Sequence, residues 1–330
     1  MHDTPLMDRV IRRVSLLMPN LFAANAALLG LHFLMKNRRL PRTPVQEQAS
    51  LSDYVFWKSI GYWSDFERAC VDKETAKHVA RQLCPQIGIP ELIDVFPVQG
   101  LSYQAFRRKL LAYGGRAAVA KPTHGSGAIL FLDGELSERE LRKFHRDCRA
   151  SYFQLFREGQ YYRLEKKVLI ERRVSDRASR RGVADDYKFF CSRGHAFLCQ
   201  INVDRFGDHR LINMTVPDFT DSGVEYGTHR PDTLPERPPR WNDFVRFAER
   251  LSQPFEFVRV DLYDGDDDIY FGEFTFTPGA GLTSFSEADF DRWLMVQVRQ
   301  ASDGPASWAA HPRKPRTVPR LLRRIVRKAS

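Results

Sequence analysis

The spacing of apolar positions changes period several times along the chain. In "DKETAKHVARQL" (Asp72–Leu83) apolar residues recur every three or four positions, which predicts an amphipathic helix. "SERELRKFHRDCRASYFQLFR" (Ser137–Arg157) reads as a second helix, with Ser137 and Glu140 suited to a capping box. "WNDFVRFAERLSQ" (Trp241–Gln253) reads as a third. Between these lie strand-like runs. "GRAAVAKPTHGSGAILFLDGEL" (Gly115–Leu136) predicts a strand, a Gly-rich turn and another strand, and "KKVLIERRV" (Lys166–Val174) an apolar strand running into charge. "DYKFFCSRGHAFLCQINVDR" (Asp186–Arg205) predicts a hairpin turning near Arg193-Gly194. "RVDLYDGDDDIYFGEFTFTPGAG" (Arg259–Gly281) predicts a second hairpin, turned at "DGDDD". Val216–Arg240 is Pro-rich and reads as loop. Paired strands with separate helices, rather than βαβ alternation, indicate an α+β fold.

The first 40 residues read as helices, and Pro41–Ser50 as a linker. Within them "VSLLMPNLFAANAALLGLHFLM" (Val14–Met35) is long enough to be weighed as a membrane span, but Pro19, Asn20, Asn25 and His32 interrupt it. No small-residue cleavage site follows, so a signal peptide is not indicated. The segment reads as a buried helical arm, with membrane contact as the alternative. The expected organisation is an arm over 1–50, an N-terminal subdomain over 51–115, a nucleotide-binding and catalytic core over 116–303, and a basic tail over 304–330.

Charge refines this picture. The net charge is +10, yet the last twenty residues hold eight Lys/Arg and no acid. Without them the 51 basic residues fall to 43 against 41 acidic, so the body is nearly neutral and a nucleic-acid partner is not expected. In "LLRRIVRK" Leu321, Leu322, Ile325 and Val326 fall on one helical face, so the tail could dock on an anionic membrane or stay solvated. The five cysteines form no CxxC pair, which argues against a disulfide framework or zinc site and for a reducing cytoplasm.

Two stretches carry candidate chemistry. In "VAKPTHGSGAI" Lys121 precedes His124, Gly125, Ser126 and Gly127, and the N–H groups of such a turn can cradle phosphate. GxxxxGK[ST] is absent, so this is no P-loop, and a plain β-turn remains an alternative. In the second hairpin Asp261 and Glu273 lie inside apolar strands. Burying carboxylates there costs free energy unless cations or hydrogen bonds compensate. Strand alternation puts Arg259, Asp261 and Tyr263 on one face, and Glu273 and Thr275 on one face of the partner strand. This oxygen-rich set suits Mg²⁺, which takes one or two carboxylates plus substrate phosphates. A surface hairpin with a cross-strand charge pair is the plainer reading.

Together with "YYRLEKKVLIERRV" these segments, in this order from about Asp72 to Asp291, resemble the ATP-grasp superfamily, most closely its TupA-like, teichuronopeptide-biosynthesis branch. The resemblance implies two α+β subdomains clasping ATP. Lys121 and Gly125–Gly127 would then meet the phosphates, Glu171 and Val174 would form the adenine hinge, and Asp186 would meet the ribose. Lys188 would reach a phosphate, Arg259 would stabilise the transferring group, and Asp261 and Glu273 would hold Mg²⁺. Many members have Glu-x-Asn where this chain has Glu273-Phe274-Thr275, which puts a second metal position in question and reads as a trait of the branch. The implied activity is carboxylate–amine ligation through an acyl phosphate, in cell-surface polysaccharide biosynthesis. A phosphotransferase acting on a sugar hydroxyl would use the same ATP and metal set. From a different class, a non-catalytic, membrane-peripheral binding protein is the remaining alternative.

Overall fold

The computed structural model describes residues 6–175, 185–203 and 210–301. The basic tail, residues 176–184 and residues 204–209 lie outside the described residues. In chain order the helices are α1 (Leu6–Leu17), α2 (Phe22–Asn37), α3 (Leu51–Ile60), α4 (Asp65–Val71), α5 (Lys73–Leu83), α6 (Tyr103–Leu111), α7 (Glu138–Arg149), α8 (Tyr152–Phe156), α9 (Trp241–Ser252) and α10 (Ala288–Gln300). The strands are β1 (Leu92–Pro97), β2 (Ala118–Pro122), β3 (Leu130–Phe131), β4 (Lys167–Arg172), β5 (Asp186–Ser192), β6 (His195–Val203), β7 (Arg210–Thr215), β8 (Thr220–Asp221), β9 (Val258–Asp264) and β10 (Ile269–Thr275).

The strands form two antiparallel sheets. The small one has the order β1-β4-β2-β3 and the large one β10-β9-β5-β6-β7-β8. Because β1 pairs with β4, the small sheet draws strands from both sides of residue 115. One face of it packs Ala118, Ala120, Val168 and Ile170 against Phe106 of α6 and Leu141 and Phe144 of α7. Its other face carries Val119, Lys121, Leu169 and Glu171, turned toward the large sheet. One side of the large sheet buries Phe189, Val260, Leu262 and Phe271 against Phe244 and Leu251 of α9 and Val79 of α5.

Local signals account for most boundaries. Asp72 caps α5, accepting from the N–H groups of Glu74 and Thr75, and Ser137 with Glu140 closes the capping box that starts α7. The long helix expected over 137–157 is divided. Ser151 accepts from Gln154 N–H and caps a separate α8, because its hydroxyl offers the backbone a new start. The β5–β6 turn has Arg193 and Gly194 both at positive φ, the geometry a two-residue hairpin requires.

The N-terminal arm departs most from expectation. It is helical, but α2 buries only Asn25, Leu28, Leu29 and Phe33 and leaves other apolar side chains exposed. Its apolar residues run round the whole helix, and the fold offers only one packing surface.

Candidate active site

Strand β9 organises the charged face of the large sheet. Arg259 and Asp261 lie two residues apart and share that face. Asp261 is opposite Lys188 on β5 and opposite Glu273 on β10, while Arg259 is opposite Thr275. The Asp261 carboxylate accepts from Arg259 Nε at 2.7 Å and Nη2 at 2.7 Å, and from Lys188 Nζ at 2.8 Å. Lys188 also bonds Asp186, its neighbour on the same face. Arg259 Nη2 donates to Thr275 Oγ1 at 3.0 Å. The buried Asp261 carboxylate is therefore compensated by cations from two strands, β9 and β5.

A one-residue irregularity aims Glu273. Phe271 pairs with Leu262, but Glu273 pairs with Asp261, so Gly272 is an extra residue on β10. Without this bulge Glu273 would stand opposite Val260 and point into the apolar core. Glycine suits this close approach, because a Cβ would come to 3.0 Å from the Asp261 carbonyl oxygen and from the Tyr263 ring.

The small sheet contributes a second charged group. Lys121 on β2 and Lys77 on α5 close on the Glu171 carboxylate at 2.8 Å and 2.6 Å. Burial alone would push Glu171 up, but Lys121 and Lys77 outweigh it and hold the carboxyl down at about 2. Burial works against the Lys121 ammonium, yet Glu171 and the negative groups around it keep that lysine charged. Lys121 also lies 5.8 Å from the Tyr263 ring centroid, on β9, so the two sheets meet at this lysine.

Lys73, one turn before Lys77 on α5, links the remaining pieces. Its ammonium lies 3.5 Å from Glu273 and donates to the Gly125 carbonyl at 2.5 Å. Contacts thus run from Gly125 through Lys73 to Glu273, Arg259, Asp261 and Lys188, and Lys121 lies beside them over Tyr263. Ser126 and Gly127 form the exposed crest of the turn. His124 does not join them. It is 3% exposed, and burial pushes its imidazole down to about 4, so it brings no positive charge to a phosphate. Glu171 is spent between two lysines, and β4 runs on from it into the segment 172–175. That segment abuts the β9–β10 turn: Asp266 N–H donates to the Ser175 carbonyl at 3.1 Å, and Ser175 Oγ to the Asp266 carboxylate at 3.0 Å.

Sequence reading missed Lys73 and Lys77. Their four-residue spacing on a capped amphipathic helix is the signal that could have found them. It also missed the polar floor of the large sheet, where buried Gln200 and Asn202 stand opposite Lys188 and Asp186. The alternation of "CQINV" within an otherwise apolar strand was the available clue.

Mg²⁺ fits the residues present. Asp261 and Glu273 are hard oxygen donors at facing strand positions. Among the described residues no cluster of three or more His, Cys, Asp or Glu could enclose an ion. A pair of carboxylates suits a metal completed by substrate phosphates.

A sequence model of the family described as TupA-like ATPgrasp matches residues 66–298. The chain belongs to the TupA-like ATP-grasp family. This family's matched region covers both sheets and every site residue described above. No protein of curated function matches the chain. Among solved structures, the ATP-grasp ligase PsnB complexed with minimal precursor is 11% identical, with a TM-score of 0.36. That match covers 70% of this chain and 60% of PsnB. The D-alanine–D-alanine ligase of Bacillus anthracis is 12% identical with a TM-score of 0.38, over 100% of this chain and 97% of that one. N5-carboxyaminoimidazole synthetase of Staphylococcus aureus is 13% identical with a TM-score of 0.34, over 76% and 50%. This TupA-like chain thus spans about three-fifths of the PsnB structure it matches.

Behind β10 lies a buried acid outside the charged face. Glu158 bonds the Thr277 hydroxyl and accepts from Gln160 Nε2 at 3.1 Å. Burial pushes its carboxyl up to about 7, with the two hydrogen bonds opposing. The folded chain therefore holds this proton at pH values where the unfolded chain has lost it. Stability from the protonated form is full below about pH 4.5 and falls as pH rises to about 7, by roughly 3 kcal/mol. Glu158→Gln should flatten that slope, read as the melting temperature of variant and wild type between pH 5 and 8. An unchanged slope would remove Glu158 from the network.

Proposed function

We propose that the chain is an ATP-dependent carboxylate–amine ligase acting in the biosynthesis or modification of a bacterial surface polysaccharide. The observation that carries the reading is the convergence of Lys121 from the small sheet with Asp261, Glu273, Lys188 and Arg259 of the large one. Two carboxylates and several cations facing one cleft suit a magnesium–triphosphate, whose charge the cations match.

In this reading adenine lies along the backbone from Glu171 to Val174, and Asp186 accepts from the ribose. Lys121, Lys73, Lys77 and the N–H groups of Gly125–Gly127 hold the phosphates. A substrate carboxylate oxygen attacks the γ-phosphorus, the bond to ADP breaks, and an acyl phosphate forms. An amine nitrogen then attacks the acyl carbon, loses a proton and expels phosphate, leaving an amide. Arg259 and Lys188 face the transferring group and offset its developing charge. Mg²⁺, bound by Asp261 and Glu273, would neutralise phosphate charge and align the γ-phosphorus. No enzyme nucleophile is required. All five cysteines are buried and free, and burial raises each thiol above its ordinary value, so none supplies a thiolate.

The test is release of ADP and phosphate across a panel of amino acids paired with uronic acids. Release that requires both an amine and a carboxylate supports the ligase. Release driven by a sugar hydroxyl alone, with the phosphoryl group found on the sugar, would make the enzyme a phosphotransferase instead.

A further inference from the structure

The N-terminal arm buries polar groups and exposes apolar ones. Its polar groups face the protein: Ser15 and Asn25 are buried, and both meet the buried guanidinium of Arg157. Arg157 donates to Ser15 Oγ at 2.8 Å, Met18 O at 2.7 Å, Pro19 O at 3.3 Å and Asn25 Oδ1 at 3.1 Å. It thereby satisfies the backbone of the turn between α1 and α2. Two further ties hold the far end of the arm. Arg39 grips the buried Asp53 at 2.6 Å, and Asn37 Nδ2 donates to the Gly281 carbonyl at 3.3 Å. Leu28, Leu29 and Phe33 pack inward as well, but the arm's other apolar side chains point the other way. Leu17 is 87% exposed, Leu40 67% and Phe22 63%, and Leu21, Leu31 and Leu34 add to them. A groove of about 400 Å³ runs between α2, Leu40 and the edge of Trp57. A soluble surface does not ordinarily hold so many apolar groups together while burying an arginine behind them.

We infer that this arm is an interfacial membrane anchor that seats the protein on anionic phospholipid. Charge selects the occupant. Residues 1–46 carry seven Lys/Arg against two Asp/Glu. A second copy meeting this face two-fold would set those cations against themselves. A bilayer surface with anionic headgroups offers the complementary charge and an acyl region for Leu17, Phe22 and Leu31. The arm lies in the interface plane. No described helix is long and apolar enough to cross a membrane, and α2 has 16 residues. The anchor also touches the active-site borders. α1 packs on α8, whose Tyr152 lies against Gly125, and Asn37 holds the turn that follows β10. This inference is independent of the ligase reading.

The experiment is co-sedimentation of the full chain with phosphatidylcholine vesicles, with and without 30% phosphatidylglycerol on the order of physiological salt. The comparison protein is the triple variant Leu17→Glu, Phe22→Glu, Leu31→Glu, whose positions are exposed and leave the Arg157 and Arg39 ties intact. Both proteins keep the basic tail. The wild type should sediment with the anionic vesicles, and the variant should bind them about tenfold or more weakly at an unchanged melting temperature. Equal sedimentation of the two proteins would overturn the anchor, as would wild-type binding that ignores the anionic lipid. A wild-type dimer that the triple variant dissolves, with no vesicle binding, would assign the face to a second copy instead.

Discussion

Glu273→Gln should leave the chain folded and nearly inactive, whereas Asp261→Asn should cost both activity and stability. The two carboxylates face each other across β9 and β10, but their surroundings differ. The Glu273 side chain is 27% exposed, and Lys73 and Arg259 stand 3.5 Å and 3.8 Å from it. Removing one charge there costs little of the fold. Asp261 is buried and accepts three charge-assisted bonds from Arg259 and Lys188. Neutralising it removes the carboxylate shared by Arg259 and the buried Lys188, which keep only Thr275 and Asp186 as close partners, a loss of about 3 kcal/mol and a melting temperature lower by roughly 6 °C. For both variants ADP release should fall by about 100- to 1000-fold, the scale of losing a charge that stabilises the transferring phosphoryl group. Thermal melts alongside steady-state rates separate the two effects. Full turnover in either variant would remove that residue from the metal site.

The legible part of this site was the part written in strand parity. Placing Arg259 with Asp261, and Glu273 with Thr275, needs only alternation, and the observed pairings agree. What alternation alone could not supply was the register between the two strands. That depends on the bulge at Gly272, which a lone glycine in a strand hints at without fixing. The cationic side was harder to read. Lys73 and Lys77 lie about 45 residues before Lys121 in the chain, and only the packing of α5 against the small sheet brings them to Gly125 and Glu171. The family resemblance implied a hinge at Glu171 and Val174, but whether the glutamate looks outward or toward two lysines is a tertiary fact. The arm shows the same limit. Its helices follow from composition, while its exposed apolar side follows from Arg157, which is 132 residues away from Asn25.

The group of Lys121, Glu171 and Lys77 yields the second large effect. Glu171 can neutralise one lysine, so the trio carries a single net positive charge for a phosphate. Lys121→Met should cancel that charge, because Glu171 and Lys77 then satisfy each other. ATP affinity by calorimetry should fall by about 10- to 100-fold, the scale of one charge-assisted hydrogen bond. Glu171→Gln alone leaves two buried ammonium groups unopposed and should instead destabilise the fold by about 3 kcal/mol. Combining the two substitutions leaves Lys77 beside a neutral glutamine, again with one net charge. The double variant should therefore recover part of both losses, binding ATP more tightly than Lys121→Met and melting higher than Glu171→Gln. Strict additivity of the two variants would show that the three side chains do not act as one electrostatic unit. ATP affinity unchanged in Lys121→Met would remove Lys121 from the phosphate site, leaving that task to Lys73 and the Gly125–Gly127 turn.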